Sequence, residues 1–312
     1  MKMKREIGSE FWDIPLLNIE NDFFPKETVW LLSGRTALEL IVIDSGIKSV
    51  SMPTWCCKSM VDPFVKHGVK VSFYENEPNK NFDAIFVIDY FGFTDQIEVP
   101  RNYKGVVIRD VTHSLFSKYY DDADYYFGSL RKWAGFITGG FAWGAWKKKL
   151  LLQQCDTKYV SLRKKAMKQK ASFIRGETNN KEYLSVFKEA NDYLLLCEIC
   201  SAFGDDIYAA KHLDIERMRM IRRTNAAVLI KRVGCLFEMK ENDCPLFVPI
   251  KTAKRDQLRK YLIDNNVFPP VHWPGSDLGG NELSLVCDQR YDENDMNYIC
   301  DLIENFYENE GE

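Results

Sequence analysis

Two side chains define the chemistry open to this chain. Asp110 closes the run Val106-Val107-Ile108-Arg109-Asp110. Lys132 closes Tyr125-Tyr126-Phe127-Gly128-Ser129-Leu130-Arg131-Lys132 and is followed by Thr138-Gly139-Gly140. An apolar run ending in an acid predicts a strand with a carboxylate at its carboxyl end, where open α/β sheets bind ligands. A lysine is a nucleophile only when partly neutral, and a tight cleft near other cations lowers its pKa. Arg131 is such a cation, and Phe127, Trp133 and Phe136 supply apolar walls. An acid after one strand and Ser-x-x-Lys after the next is what a pyridoxal-phosphate (PLP) site needs. The acid keeps the pyridine nitrogen protonated and the lysine makes the Schiff base.

The surrounding residues extend this reading. Ser129 can bind a phosphate, and the glycines after Lys132 let backbone approach a bound group closely. Ser33-Gly34-Arg35-Thr36 opens a predicted helix, where N–H groups and the dipole favour an anion; a plain N-cap with a turn glycine fits the same spacing. Asp110 by itself would also suit a turn or helix cap. His113 can contact the cofactor ring or its phenolic oxygen, or serve as an ordinary loop histidine.

The elements that must position these groups follow an α/β pattern. Short apolar runs alternate with amphipathic stretches over the first half of the chain, which predicts a mostly parallel sheet covered by helices. Strands are expected at 49–52, 69–74, 84–89, 106–109, 124–128 and 140–146. Helices are expected from Ser33 to about Ile43 and across Met60, Phe64 and Val65. Long helical patterns follow at 162–170, 183–203 and 215–233. A smaller α/β unit comes last: strands at 246–250 and 283–286, and helices at 254–265 and from Glu293 to about Tyr307. Asp292 to Asp295 suit the start of that final helix. The change of pattern divides the chain into a large domain at 1–214 and a linker helix with a small domain at 215–312.

Composition narrows the partners. With 42 Lys+Arg against 45 Asp+Glu, the net charge of -3 gives no electrostatic case for nucleic acid or an anionic membrane. No apolar run approaches the ~20 residues of a membrane span, and no apolar segment follows the charged start, so a cytoplasmic protein is expected. Nine cysteines, an odd number, suit free thiols. Cys197-x-x-Cys200 falls in the helical pattern without a second ligand pair, so core packing is expected over metal binding.

The motifs, taken in order, resemble a known family. Ser33-Gly34-Arg35-Thr36-Ala37-Leu38, Pro53-Thr54-Trp55, Gly68-Val69-Lys70-Val71, Asp110-x-x-His113 and Ser129-x-x-Lys132 are similar to those of the DegT/DnrJ/StrS aminotransferases, PLP-dependent enzymes of fold type I. The likeness is dense over residues 30–145 and thinner beyond. It implies that Lys132 carries the cofactor and that Asp110 pairs with its ring nitrogen. It also implies that His113 lies on the ring face and that Ser33, Gly34, Arg35 and Ser129 lie near the phosphate. A homodimer with sites at the interface, glutamate as amino donor and a keto-sugar nucleotide as acceptor are implied as well.

Departures from the family pattern accompany the likeness. Cys57 stands where members often carry an aromatic that stacks on the ring, which leaves Trp55, Cys57 or His113 to cover it. Phe136-Ile137-Thr138-Gly139-Gly140 replaces the usual Thr-Gly-Glu-Gly-Gly. Arg35 or Arg290 could receive a substrate anion, and Trp273 could line the pocket or merely pack. A lyase or aldolase of the same fold and a non-catalytic scaffold are the alternatives. The family's sugar dehydratases carry histidine in place of the lysine, so Lys132 argues against that branch.

Overall fold

Short β-branched runs form the strands, as the pattern requires. The computed structural model describes residues 6–93, 99–100, 102–117, 122–148, 151–273 and 279–309. Two strands and a helix come first: β1 (Ile7–Gly8), β2 (Val29–Leu31) and α1 (Gly34–Ser45). They are followed by β3 (Ser49–Pro53), α2 (Lys58–Lys66), β4 (Lys70–Tyr74), β5 (Ala84–Ile88), β6 (Val106–Asp110), β7 (Tyr125–Ser129) and β8 (Gly140–Gly144). A single 3-10 turn, Leu130–Lys132, leaves β7.

Seven of these strands make one sheet in the order β2-β8-β7-β6-β5-β3-β4. From β4 to β7 every pairing is parallel, while β8 runs antiparallel to both β7 and β2. All five residues of β5 are buried, because helices or loops cover both faces. The register sets Asp110 beside Phe127 and Ser129 beside Gly140. The candidate acid and the candidate lysine therefore leave adjacent interior strands at the same, carboxyl, end. Leu31 of β2 pairs with Gly140, so the start of α1 lands against the start of β8. A Cβ at Gly140 would come within 2.4 Å of the Ser33 backbone, so this approach requires glycine.

The remaining elements are α3 (Thr157–Ile174), α4 (Tyr183–Leu194), α5 (Gly204–Lys211), α6 (Ile215–Val233), β9 (Phe247–Lys251), α7 (Arg255–Asp264), β10 (Val267–Phe268), β11 (Glu282–Val286) and α8 (Glu293–Asn309). β9 and β11 pair antiparallel, and β1 pairs parallel with β10. A second apolar core gathers Leu229, Val248, Leu258, Leu285 and Ile299, and Ile7 of the amino-terminal strand joins it. Asp292 caps α8 by accepting from the N–H groups of Asn294 and Asp295.

The structure corrects the sequence pattern in one place. The expected helix over 183–203 stops at Leu194. A turn at 195–196 follows it, and the chain then runs to two bridges, Cys200 with Gln153 and Ser201 with Leu31. Backbone pairing to the end of β2 outcompetes the helical propensity of this apolar run, so Cys197-x-x-Cys200 is not helical. Of the apolar positions that marked α2, Phe64 is fully buried, whereas Val65 is 63% exposed. All nine cysteines are free. Among the described residues no helix is long and apolar enough to cross a membrane.

Candidate active site

The lysine is positioned by hydrogen bonds that its own loop makes. Leu130 N–H donates to Gly139 O at 2.8 Å, and Trp133 N–H to Leu130 O at 2.9 Å. Gly139 has φ of 85°, a left-handed conformation that favours glycine. Trp133 is fully buried, and its indole N–H donates to Thr112 O at 2.7 Å. That bond ties the Lys132 turn to the loop that follows Asp110. Asp206, in the first turn of α5, accepts from Ile137 N–H at 3.2 Å, from Thr138 N–H at 2.6 Å and from the Thr138 hydroxyl. The far side of the loop is thereby pinned as well.

Lys132 lies on the wall of a cavity of about 560 Å³, together with Ser129, Arg131, Glu10, Phe247 and Arg290. Its side chain is exposed, open to the water of that cavity. The protein groups crowded around the cavity thin the water near its amine and lower its pKa, Arg131 adds to the effect, and Glu10, Cys57 and Asp110 oppose it. The net direction is down, toward the neutral form that a nucleophile needs. Burial would raise the pKa of Glu10, but Arg163, Arg131 and Lys132 prevail and hold it low.

Asp110 is 2% exposed, and its Oδ1 accepts from Thr112 N–H at 2.8 Å. Burial pushes its carboxyl up to about 6, against the pull of the Thr112 bonds and Lys132. His113 is driven down to about 3, by burial first and then by Lys132, so its ring is neutral near pH 7. Its Nδ1 accepts from Phe91 N–H at 3.4 Å, which places the ring proton on Nε2.

Ser33 caps α1 through a capping box: its hydroxyl accepts from Thr36 N–H at 3.2 Å, and its own N–H donates to the Thr36 hydroxyl at 3.0 Å. Ala37 N–H already closes onto Ser33 O. The N–H groups of Gly34 and Arg35 are the two orphan donors of the helix start that this cap leaves over. A Cβ on Gly34 would lie 3.2 Å from Gly128 O and 3.4 Å from the Ser129 Cβ, so the helix start faces the end of β7 at close range. Helix donors, a serine, a buried carboxylate and a cavity-wall lysine form the donor set a phosphorylated pyridine aldehyde requires. The residues present fit PLP.

Other expected residues take different places. The Arg35 guanidinium donates to Leu194 O at 2.6 Å and Leu195 O at 3.4 Å, at the carboxyl end of α4. Two of its guanidinium N–H groups are thereby engaged, and its backbone N–H lies at the helix start. Arg290 forks onto Asp288 and also donates to Ser9 O and Glu10 O, so its donors are engaged although it lines the cavity. Trp55 is 5% exposed, stacks on Tyr90 with centroids 4.7 Å apart and donates through its indole N–H to His272 O at 2.9 Å. Cys57 is half-buried at the start of α2, its Sγ 2.9 Å from Ser59 Oγ. Trp273 lies parallel to His113, with centroids 5.8 Å apart.

Sequence reasoning did not find Glu10, Asp206, His272 or Glu282. Acids and a histidine without local motif context carry no signal of this kind. Only Asp206, in the first turn of a helix, was detectable at all, and there as a helix-dipole partner.

Comparison with known proteins supports the architecture. No protein-family model matches the chain, and no curated protein matches it in sequence. Solved structures do match. One is a DegT DnrJ EryC1 StrS aminotransferase from Brucella abortus, at 14% identity and a TM-score of 0.59, covering 89% of this chain and 85% of that one. A second is the PLP form of a putative sugar aminotransferase from Streptococcus pneumoniae, at 14% identity and a TM-score of 0.58, covering 88% and 85%. A third is DesI in the presence of its TDP-sugar product, at 13% identity and a TM-score of 0.60, covering 88% and 79%. The chain has the fold of these aminotransferases, the fold type I arrangement with a mostly parallel central sheet and flanking helices.

Proposed function

We propose that the chain is a PLP-dependent aminotransferase that moves an amino group from glutamate to a keto-sugar nucleotide. The observation that carries the reading is the pairing of Lys132 and Asp110. A cavity-wall amine with a lowered pKa follows β7, and a buried carboxylate ends the neighbouring strand. The match to sugar aminotransferase structures over most of the chain supports the substrate class.

The cofactor, when bound, supplies an aldehyde for amine exchange and an electron sink for the carbanion left when a proton is removed. Gly34 and Arg35 N–H with the Ser129 hydroxyl would hold its phosphate. Asp110, steadied by Thr112, would offer its carboxylate to the protonated ring nitrogen. Its pKa of about 6 leaves it mostly ionised near pH 7, and a cation beside it would pull the value lower. Lys132 in its neutral form would supply the amine that holds the cofactor's aldehyde. When free, the same amine would be placed to take a proton from the substrate carbon and return it elsewhere. Neutral His113, its ring fixed by Phe91, holds one flank of the site with an Nε2–H donor. Trp133, by bonding Thr112, keeps Lys132 and Asp110 at a constant separation.

The test is direct. Purified protein given PLP should turn yellow, bleach with borohydride and carry the reduced cofactor on the Lys132 peptide in mass spectrometry. Addition of L-glutamate should convert the bound cofactor to its amine form and release 2-oxoglutarate. Protein that stays colourless, or carries the label on another lysine, refutes the proposal. A coloured protein inert to glutamate but active in elimination moves it to the lyase class.

A further inference from the structure

A buried polar chain runs from β11 to the aromatic wall beside Lys132, and none of the steps above uses it. Glu282 is 1% exposed, Ser284 0% and His272 3%. The Ser284 hydroxyl donates to Glu282 Oε1, His272 N–H donates to Glu282 Oε2 at 2.8 Å, and His272 Nδ1 lies 2.8 Å from Ser284 Oγ. The inventory of protons decides what that last contact is. A serine hydroxyl has one proton, and with Glu282 ionised it goes to the carboxylate. Toward the imidazole Ser284 can therefore only accept, and Nδ1 must carry the ring proton. That leaves a lone pair on Nε2.

The direction of Nε2 follows from ring geometry. The two nitrogens flank Cε1 and their in-plane directions diverge widely, so with Nδ1 tied to Ser284 of β11 the Nε2 lone pair points away from that contact. His113, Phe91 and Trp273 surround the ring edge-on, with centroids 5.2, 5.2 and 5.6 Å away. Phe247, which lines the cavity, packs at 5.2 Å. The His272 carbonyl holds the Trp55 indole, which fixes the segment from the other side. Among the described residues Nε2 has no hydrogen-bond partner. Lys132 and His113 are both close enough to act electrostatically on the His272 ring.

We propose that His272 is a built-in neutral hydrogen-bond acceptor of the active site, its Nε2 lone pair receiving an N–H of the substrate amine. The proposal rests on the aminotransferase reading for the identity of that amine. Other groups around Lys132 are less suited. Asp110 is assigned to the ring nitrogen, Glu10 is engaged by Arg163, and His113 presents a proton at Nε2. Ser284 and Glu282 are positioning residues that act only through the tautomer of His272. A protonated Glu282 would reverse the chain: its O–H would donate to Ser284, Ser284 to Nδ1, and Nε2 would become a donor. Burial pushes the Glu282 carboxyl up to about 7, against the pull of Ser284, the His272 N–H and Arg255, so Glu282 is mostly ionised and Nε2 an acceptor only above that pH. Lys251 pairs opposite Glu282 across the sheet.

The test has an arm that needs no cofactor. Nitrogen-15 NMR of ring-labelled histidine at about pH 8, where the raised Glu282 carboxyl is mostly ionised, reads which nitrogen carries the proton. Assignment comes from the His272→Gln spectrum. The wild type should show His272 protonated on Nδ1. Glu282→Gln, whose amide donates to Ser284 and still accepts from His272 N–H, should move the proton to Nε2. A wild-type ring protonated on Nε2, or a tautomer indifferent to Glu282→Gln, overturns the proposal.

The second arm uses protein loaded with PLP and saturating L-glutamate in single turnover. His272→Phe should slow the half-reaction about tenfold, the scale of one hydrogen bond to a polar reacting group. The yield of borohydride-fixed cofactor on Lys132 should stay unchanged. His272→Gln, which can place an oxygen near the Nε2 position, should recover most of the rate. Equal rates for wild type and His272→Phe overturn the proposal. Wild-type protein that takes up no PLP overturns the cofactor reading, while the tautomer measurement still judges the acceptor.

Discussion

Asp206→Ala removes the anchor of the lysine loop, and its cost can be worked from the contacts. The carboxylate accepts from Ile137 N–H, Thr138 N–H and the Thr138 hydroxyl, and Asp206 and Thr138 are 4% and 0% exposed. Alanine leaves two buried backbone donors without an acceptor, at about 1–3 kcal/mol each. The Thr138 hydroxyl still accepts from Phe203 N–H at 3.2 Å, so it is only half orphaned. Relief from burying a carboxylate, whose pKa that burial raises, offsets part of the loss. The expected net destabilisation is about 2–4 kcal/mol. Asp206→Asn keeps one acceptor oxygen and should cost roughly half as much.

Urea unfolding followed by tryptophan fluorescence measures this as a lower midpoint at unchanged slope. The loop should also loosen below full unfolding, because Gly139 O holds Leu130 N–H one turn from Lys132. The yield of borohydride-fixed cofactor should therefore fall in Asp206→Ala under conditions where the protein remains folded. Stability within about 0.5 kcal/mol of wild type for both variants would refute the assigned role. A destabilised protein that still fixes cofactor normally would refute the link from Asp206 to Lys132.

Other perturbations follow from the same contacts. Lys132→Ala should abolish covalent cofactor trapping without lowering the melting temperature, since its side chain is exposed; a clear loss of stability would count against that account. Asp110→Ala should cut half-reaction turnover by two orders of magnitude or more, on the order of ~3 kcal/mol of transition-state stabilisation, and near-normal turnover would remove it from the site. The Glu282 carboxyl, pushed up to about 7 by burial, binds a proton in the folded protein over a range where the unfolded chain has lost it. Stability should therefore fall as pH rises from about 4.5 to 7, by at most ~3 kcal/mol from this group. Glu282→Gln should flatten that part of the pH–stability curve, and an unchanged slope would refute the assignment.

Local pattern carried the frame of this molecule. Alternating apolar runs and turn residues specify strands and helices through periodicity, which needs only near neighbours. The capping box at Ser33, the acid ending β6 and the lysine three residues past Ser129 are likewise contained within a few positions of chain. Where long-range pairing competed with local propensity, pattern failed, as at 195–203, where the partner of Ser201 is Leu31.

What surrounds the lysine was decided only by folding. Asp206 meets Thr138 across 68 positions, Trp55 meets His272 across 217, and the Arg35 guanidinium meets carbonyls 159 and 160 positions away. His272 gains its tautomer from a serine and a glutamate on β11, and no spacing rule relates them to Lys132. Short-range chemistry is written in residue order. Desolvation and proton placement depend on which distant groups the sheet and the second core bring to the same few ångströms.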